Sequence, residues 1–138
     1  MSDQTSPDII VIDDDATTNL ICRRYFEIIF PAAAIKTFTD PVSGLEYIRS
    51  QYGSETARQA YLFLDINMPV LSGWGVLDKF ADFPDALKQH FTVYIFSSSV
   101  AAKDKEMADA NPLVTGYIEK PLSIRQLQVI FPGIQIQV

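Results

Sequence analysis

The residues best equipped for chemistry in this chain are acidic and clustered. Asp13, Asp14 and Asp15 stand in a row after a short apolar run, and Asp65 closes another apolar run. Ser97 and Lys120 end two further runs of the same kind. His90 is the only histidine and Cys22 the only cysteine, so a Cys-based zinc site is excluded. His-rich metal centres and most His-dependent triads are set aside on the same ground. What remains is a hard oxygen donor set. Clustered carboxylates repel one another unless a cation sits among them, and Mg2+ prefers oxygen ligands. A lysine offers a point charge to a phosphoryl group, and a hydroxyl offers a hydrogen bond. Carboxylate, Mg2+, hydroxyl and lysine together describe phosphoryl transfer to an aspartate.

These residues need elements to bring them together. Ile9 to Ile12 is apolar and β-branched, which predicts a strand buried on both faces. The spacing of Ile21, Cys22, Tyr25, Ile28 and Ile29 predicts a helix from about Thr17 to Phe30, ended by Pro31. Ala34 to Phe38 reads as a strand, and Asp40-Pro41 as a capped start for a helix that runs toward Gly53 with Leu45 and Ile48 inward. Strands follow at Tyr61 to Leu64, Thr92 to Phe96 and Val114 to Ile118. Helices fall at about Trp74 to Phe80, Lys103 to Ala110 and Ser123 to Phe131. Alternating strands and helices predict an α/β fold, with a parallel sheet covered on both faces. In such sheets function gathers at the carboxyl ends of the strands. Asp13, Asp14, Asp65, Ser97 and Lys120 all fall there.

Composition bounds the rest. A chain of 138 residues with 48% hydrophobic residues suits a single domain, with a core over about residues 9–131. No apolar run approaches the ~20 residues of a membrane span. The polar start lacks the pattern of a signal peptide, so a cytoplasmic protein is expected. The net charge of −6 argues against nucleic acid as a partner. Ile134 to Val138 alternates like a strand.

With these residues in order, the chain resembles the receiver domains of two-component response regulators over about Ile9 to Phe131. The most specific segment is Asp65-Ile66-Asn67-Met68-Pro69 followed by Gly73. Asp13-Asp14, Ser97 and Lys120-Pro121 match in strand context. The resemblance implies a flavodoxin-like, doubly wound five-stranded sheet of order 2-1-3-4-5. It implies that Asp65 accepts a phosphoryl group from a histidine kinase or phosphotransfer protein. Asp14, Asp65 and the backbone carbonyl of Asn67 would bind Mg2+, with Asp13 holding it mainly through water. Lys120 would contact the phosphoryl oxygens, Ser97 would move toward them, and Tyr117 would be the aromatic switch. Asn67 and Ser99 would flank the path of hydrolytic water. Ala101, Ala102, Met107 and Tyr117 lie in or near the face expected to repack and to meet a downstream protein. Such a chain would be a signalling phosphoacceptor, not an enzyme acting on a separate substrate. Monomer and homodimer both stay open.

Two other readings compete. Asp13-Asp14-Asp15-Ala16-Thr17 also fits the Asp-x-Asp-x-Thr motif of haloacid-dehalogenase-like phosphatases, with Asp13 as nucleophile and Asp15 as acid/base. Those folds need a later acidic pair, and the residues after Lys120 contain no Asp or Glu. The other reading is a receiver-like module that binds partners without being phosphorylated. Blander roles fit several residues. Asp15 suits a helix cap, Cys22 a packed small side chain, and Trp74 a cover for a helix start. His90 has no assigned role.

Overall fold

The computed structural model describes residues 7–52, 58–98 and 102–133. Among the described residues, five strands are β1 (Asp8–Ile12), β2 (Ile35–Phe38), β3 (Ala60–Asp65), β4 (Phe91–Ser97) and β5 (Val114–Glu119). The helices among the described residues are α1 (Ala16–Ile29), α2 (Pro41–Tyr52), α3 (Gly73–Ala81), α4 (Asp85–Lys88), α5 (Ala102–Ala110) and α6 (Ile124–Ile130). All strand pairs are parallel, in the order β2-β1-β3-β4-β5. This is the flavodoxin-like doubly wound sheet. Every residue of β1 is buried, as expected of an inner strand covered on both sides.

Alternate side chains on the strands feed two cores. Ile10, Ile12, Leu62, Leu64, Val93 and Ile95 pack with Leu45 and Ile48 of α2, Val76, Leu77 and Phe80 of α3, and Ala108 of α5. Ile9, Val11, Phe63, Phe96 and Ile118 face the other way, toward Cys22, Phe26 and Ile29 of α1 and Leu127 of α6. The Cys22 thiol is 1% exposed, and burial pushes its pKa up to about 12, with the negative Asp13 adding to the rise.

Local signals set the helix ends. Asp15 caps α1, its carboxylate accepting from Thr17 N–H at 3.0 Å and Thr18 Oγ1 at 3.1 Å. Asp40 accepts from Val42 and Ser43 N–H ahead of α2, with Pro41 as its first residue. Ser123 and Gln126 form a capping box at the start of α6.

Two expectations need correction. The inner face of α1 is Asn19, Cys22, Phe26 and Ile29, whereas Ile21 and Ile28 are 44% and 53% exposed. Apolar residues lie on both sides of this helix, so helical spacing alone allowed a stripe rotated from the true one. The polar Asn19 concealed the buried edge. The stretch before His90 also holds the one-turn α4, anchored by Leu87, where no helix was expected. The expected ends at Gly53 and over Ile134 to Val138, with Ser99 and Ala101, lie outside the described residues.

Candidate functional site

Parallel register delivers the polar residues to one edge. Ile12 pairs with Phe38 on one side and Leu64 on the other, so Asp13 emerges beside Asp65. Asp65 aligns with Phe96, and Ser97 with Glu119, which places Lys120 one step beyond Ser97. The Lys120 backbone N–H donates to Ser97 C=O at 2.7 Å, closing β4 and β5 at this edge. The Lys120–Pro121 peptide is cis.

Asp13 is fully buried. Its N–H donates to Phe38 C=O at 3.0 Å, and its Oδ1 accepts from Asp15 N–H at 2.9 Å. Its Oδ2 lies 2.5 Å from Lys120 Nζ in an ion pair. Asp65 is 3% exposed; its Oδ1 accepts from Asn67 N–H at 3.2 Å and lies 3.5 Å from the same ammonium. Lys120 therefore bridges the two buried carboxylates, with Phe96 beneath it at 5.3 Å from Nζ to ring centroid. Asp14 is exposed at the mouth. One carboxylate oxygen from each of Asp13, Asp14 and Asp65 lies within 4.8 Å of the others.

The charges do not balance, since three carboxylates face one ammonium. Burial pushes the Asp65 carboxyl up to about 6, and the neighbouring Asp13 charge adds to the rise. Lys120 and the Asn67 N–H pull the other way without reversing it. For Lys120, burial favours the neutral form, but contact with Asp13 and Asp65 outweighs it and holds the ammonium above its ordinary value. An acidic, all-oxygen donor set with excess negative charge fits a hard dication such as Mg2+.

The loop after Asp65 is pinned by alternation. Ile66 and Met68 are buried, while Asn67, Pro69 and Val70 face outward. Gly73 N–H donates to Ile66 C=O at 3.1 Å. A Cβ on Gly73 would lie 2.5 Å from the Asp65 carbonyl oxygen and 2.7 Å from Ile66 Cα. Only a residue without a side chain allows α3 to start this close to Asp65.

The structure thus brings together Asp13, Asp14, Asp65 and Lys120. Ser97, fully buried, ends β4 at the same edge, and Asn67 stands on the loop above Asp65. Tyr117 sits apart on β5, half-buried against the core on the α5 side. His90 lies at the opposite end of the sheet, where its C=O accepts from Ala60 N–H. The residue that sequence reading overlooked is Asn19, 4% exposed, whose Nδ2 donates to Asp13 C=O at 2.9 Å. Its signal was positional: Asn19 lies one helical turn before Cys22, on the buried face of α1.

The chain matches no protein-family model and no curated protein sequence. Its fold does match solved structures. A two-component response regulator from Cytophaga hutchinsonii superposes with a TM-score of 0.82 at 24% identity, over 94% of this chain and 96% of that one. A response regulator receiver protein from Dyadobacter fermentans gives 0.81 at 23% identity, over 91% and 95%. The chemotaxis protein CheY4 of Vibrio cholerae gives 0.73 at 15% identity, over 95% and 100%. The chain has the receiver fold across nearly its whole length. No described helix is long and apolar enough to cross a membrane.

Proposed function

We propose that the chain works as a response-regulator receiver that takes a phosphoryl group on Asp65 and signals to a protein partner by changing shape. The observation that carries this reading is Lys120 Nζ lying between the carboxylates of Asp13 and Asp65, beside the three-carboxylate cluster.

In the transfer, an Asp65 carboxylate oxygen attacks phosphorus as the phosphorus–nitrogen bond of a phosphohistidine breaks, and the donor histidine keeps the bonding electron pair. Asp13, Asp14, Asp65 and the Asn67 backbone carbonyl would hold Mg2+, which would supply positive charge for the phosphoryl oxygens. Lys120 offers a positive charge of its own beside Asp65. Before transfer it is shared by Asp13 and Asp65; afterwards the Asp65 share is available to the phosphoryl group. The Ser97 hydroxyl, at the end of the neighbouring strand, donates a hydrogen bond to the new oxygens. The added charge and acceptors bias a two-state equilibrium that includes Tyr117 on β5. The output surface is then the face made by α5, β5 and α6. It includes a cleft of about 430 Å³ beside Tyr117 and Gln126.

The rival with Asp13 as nucleophile needs Asp15 as acid/base, yet hydrogen bonds from Thr17 and Thr18 hold the Asp15 carboxyl below its ordinary range. Asp15 is instead engaged as the cap of α1. Intact mass after incubation with acetyl phosphate and Mg2+ tests the proposal. Wild type is expected to gain one phosphoryl group, and Asp65→Asn none. A gain that survives in Asp65→Asn and disappears in Asp13→Asn would overturn it in favour of the phosphatase-like reading.

A further inference from the structure

Asn19 is out of place by every local rule. It lies in the first turns of α1, on the face that otherwise carries Cys22, Phe26 and Ile29, and is 4% exposed. Asparagine is a weak helix former and a poor core residue. Its amide orientation is forced by its neighbours. Nδ2 lies 2.9 Å from Asp13 C=O and 3.3 Å from Phe38 C=O, and both carbonyls can only accept. Its Oδ1 is buried without a hydrogen bond among the described residues. An orphaned buried acceptor offsets what the two donated bonds contribute, so stability alone gives little reason for the residue.

Its location gives a better one. Asp13 N–H to Phe38 C=O is the last rung between the carboxyl ends of β1 and β2, and the Asn19 amide spans the same gap just beyond it. The Asn19 N–H also donates to Asp15 C=O at 3.1 Å, and Asp15 N–H donates to Asp13 Oδ1. Asp13 is therefore tethered at its N–H, its C=O and one carboxylate oxygen. The remaining oxygen, Oδ2, is the one that meets Lys120.

We propose that Asn19 is a positioning residue for this pocket: its side-chain amide clamps the ends of β1 and β2 and so aims the Asp13 carboxylate at Lys120 and at a cation shared with Asp65. The inference rests on the receiver reading and deepens it. Groups behind the direct ligands commonly change metal affinity by about 10- to 100-fold when removed.

The test is calorimetric titration of metal-free protein with MgCl2, without any phosphodonor, alongside thermal midpoints in EDTA. Asn19→Leu keeps the size of the side chain and removes the donor. It is expected to bind Mg2+ about tenfold more weakly than wild type, with a midpoint in EDTA within a few degrees of it. Asn19→Ala, a better helix former without a donor, serves if Asn19→Leu does not fold, and carries the same expectation for affinity. Unchanged Mg2+ affinity in a folded variant overturns the proposal. So does a large fall in midpoint with affinity lost in step, which marks general loosening. Wild type that binds no Mg2+ overturns the receiver reading and this one together, whereas wild type that binds as its variants do overturns only this one.

Discussion

Both ends of β1 carry a buried aspartate, and the two are treated in opposite ways. At the amino end Asp8, 7% exposed, accepts from Tyr52 Oη and from the Arg58 guanidinium, which also lies over the Tyr52 ring at 5.9 Å from its centroid. One carboxylate meets one cation and one hydroxyl, and the group is closed. At the carboxyl end Asp13 shares a single ammonium with Asp65, with Asp14 beside them. There negative charge is left over. The first arrangement is a fastening. The second is a site held short of neutrality, which a dication or a phosphoryl group with its metal can complete. The same strand thus separates the closed pair from the open cluster by about the length of five residues.

Substitutions at the two ends should move stability in opposite directions. The largest effect is expected at the fastening. Asp8→Ala leaves the Tyr52 hydroxyl buried without its acceptor and should lower unfolding free energy by about 2 kcal/mol, read by urea denaturation. Phosphorylation by acetyl phosphate should be unaffected. A loss of phosphorylation without a loss of stability would break the contrast.

A smaller change of opposite sign is expected at the site. In EDTA at pH 8, Asp65→Asn should stabilise the protein by about 1 kcal/mol, since it removes a buried charge that its surroundings disfavour. The sign follows from the raised carboxyl. Folded Asp65 titrates at about 6 against an ordinary 3.8, so the folded state holds this proton more tightly. Its favourable contribution is present below about 3.8 and is lost as pH rises through 6. The advantage of Asp65→Asn should accordingly shrink toward zero by pH 4. An advantage independent of pH would point to packing instead of charge.

The smallest effect sharpens the contrast further. Mg2+ at about twice its dissociation constant should stabilise wild type by about 0.6 kcal/mol. Asp65→Asn should gain clearly less in the same thermal scan. Equal gains in both would place the ion away from Asp65.

The carboxyl edge was largely legible in the amino-acid sequence. Five apolar runs separated by helix signals specify a parallel sheet, and such a sheet puts the residues after each run on one edge. Asp13, Asp14, Asp65, Ser97 and Lys120 needed only that rule. The amino edge was not legible. Asp8, Tyr52 and Arg58 are far apart in the chain, and neither periodicity nor spacing pairs them. The face of α1 was misjudged because Leu20, Ile21 and Ile28 are apolar yet exposed, while Asn19 is polar yet buried. Amphipathic pattern reads solvent preference, and at Asn19 hydrogen bonds to two strand ends override it. The one-turn α4 is too short for a periodic signal.

The burial of Cys22 has a use of its own. It is the only thiol in the chain, and as a thiol with a pKa near 12 under α1 it is almost never the reactive anion while the helix lies on the sheet. An alkylating reagent must wait for α1 to lift. With reagent in excess, the labelling rate becomes a clock for that opening, in the unmodified protein and in real time. Because α1 begins just after Asp13, Asp14 and Asp15, the same clock run with and without Mg2+ and acetyl phosphate would time how firmly an occupied edge fastens the helix that leaves it.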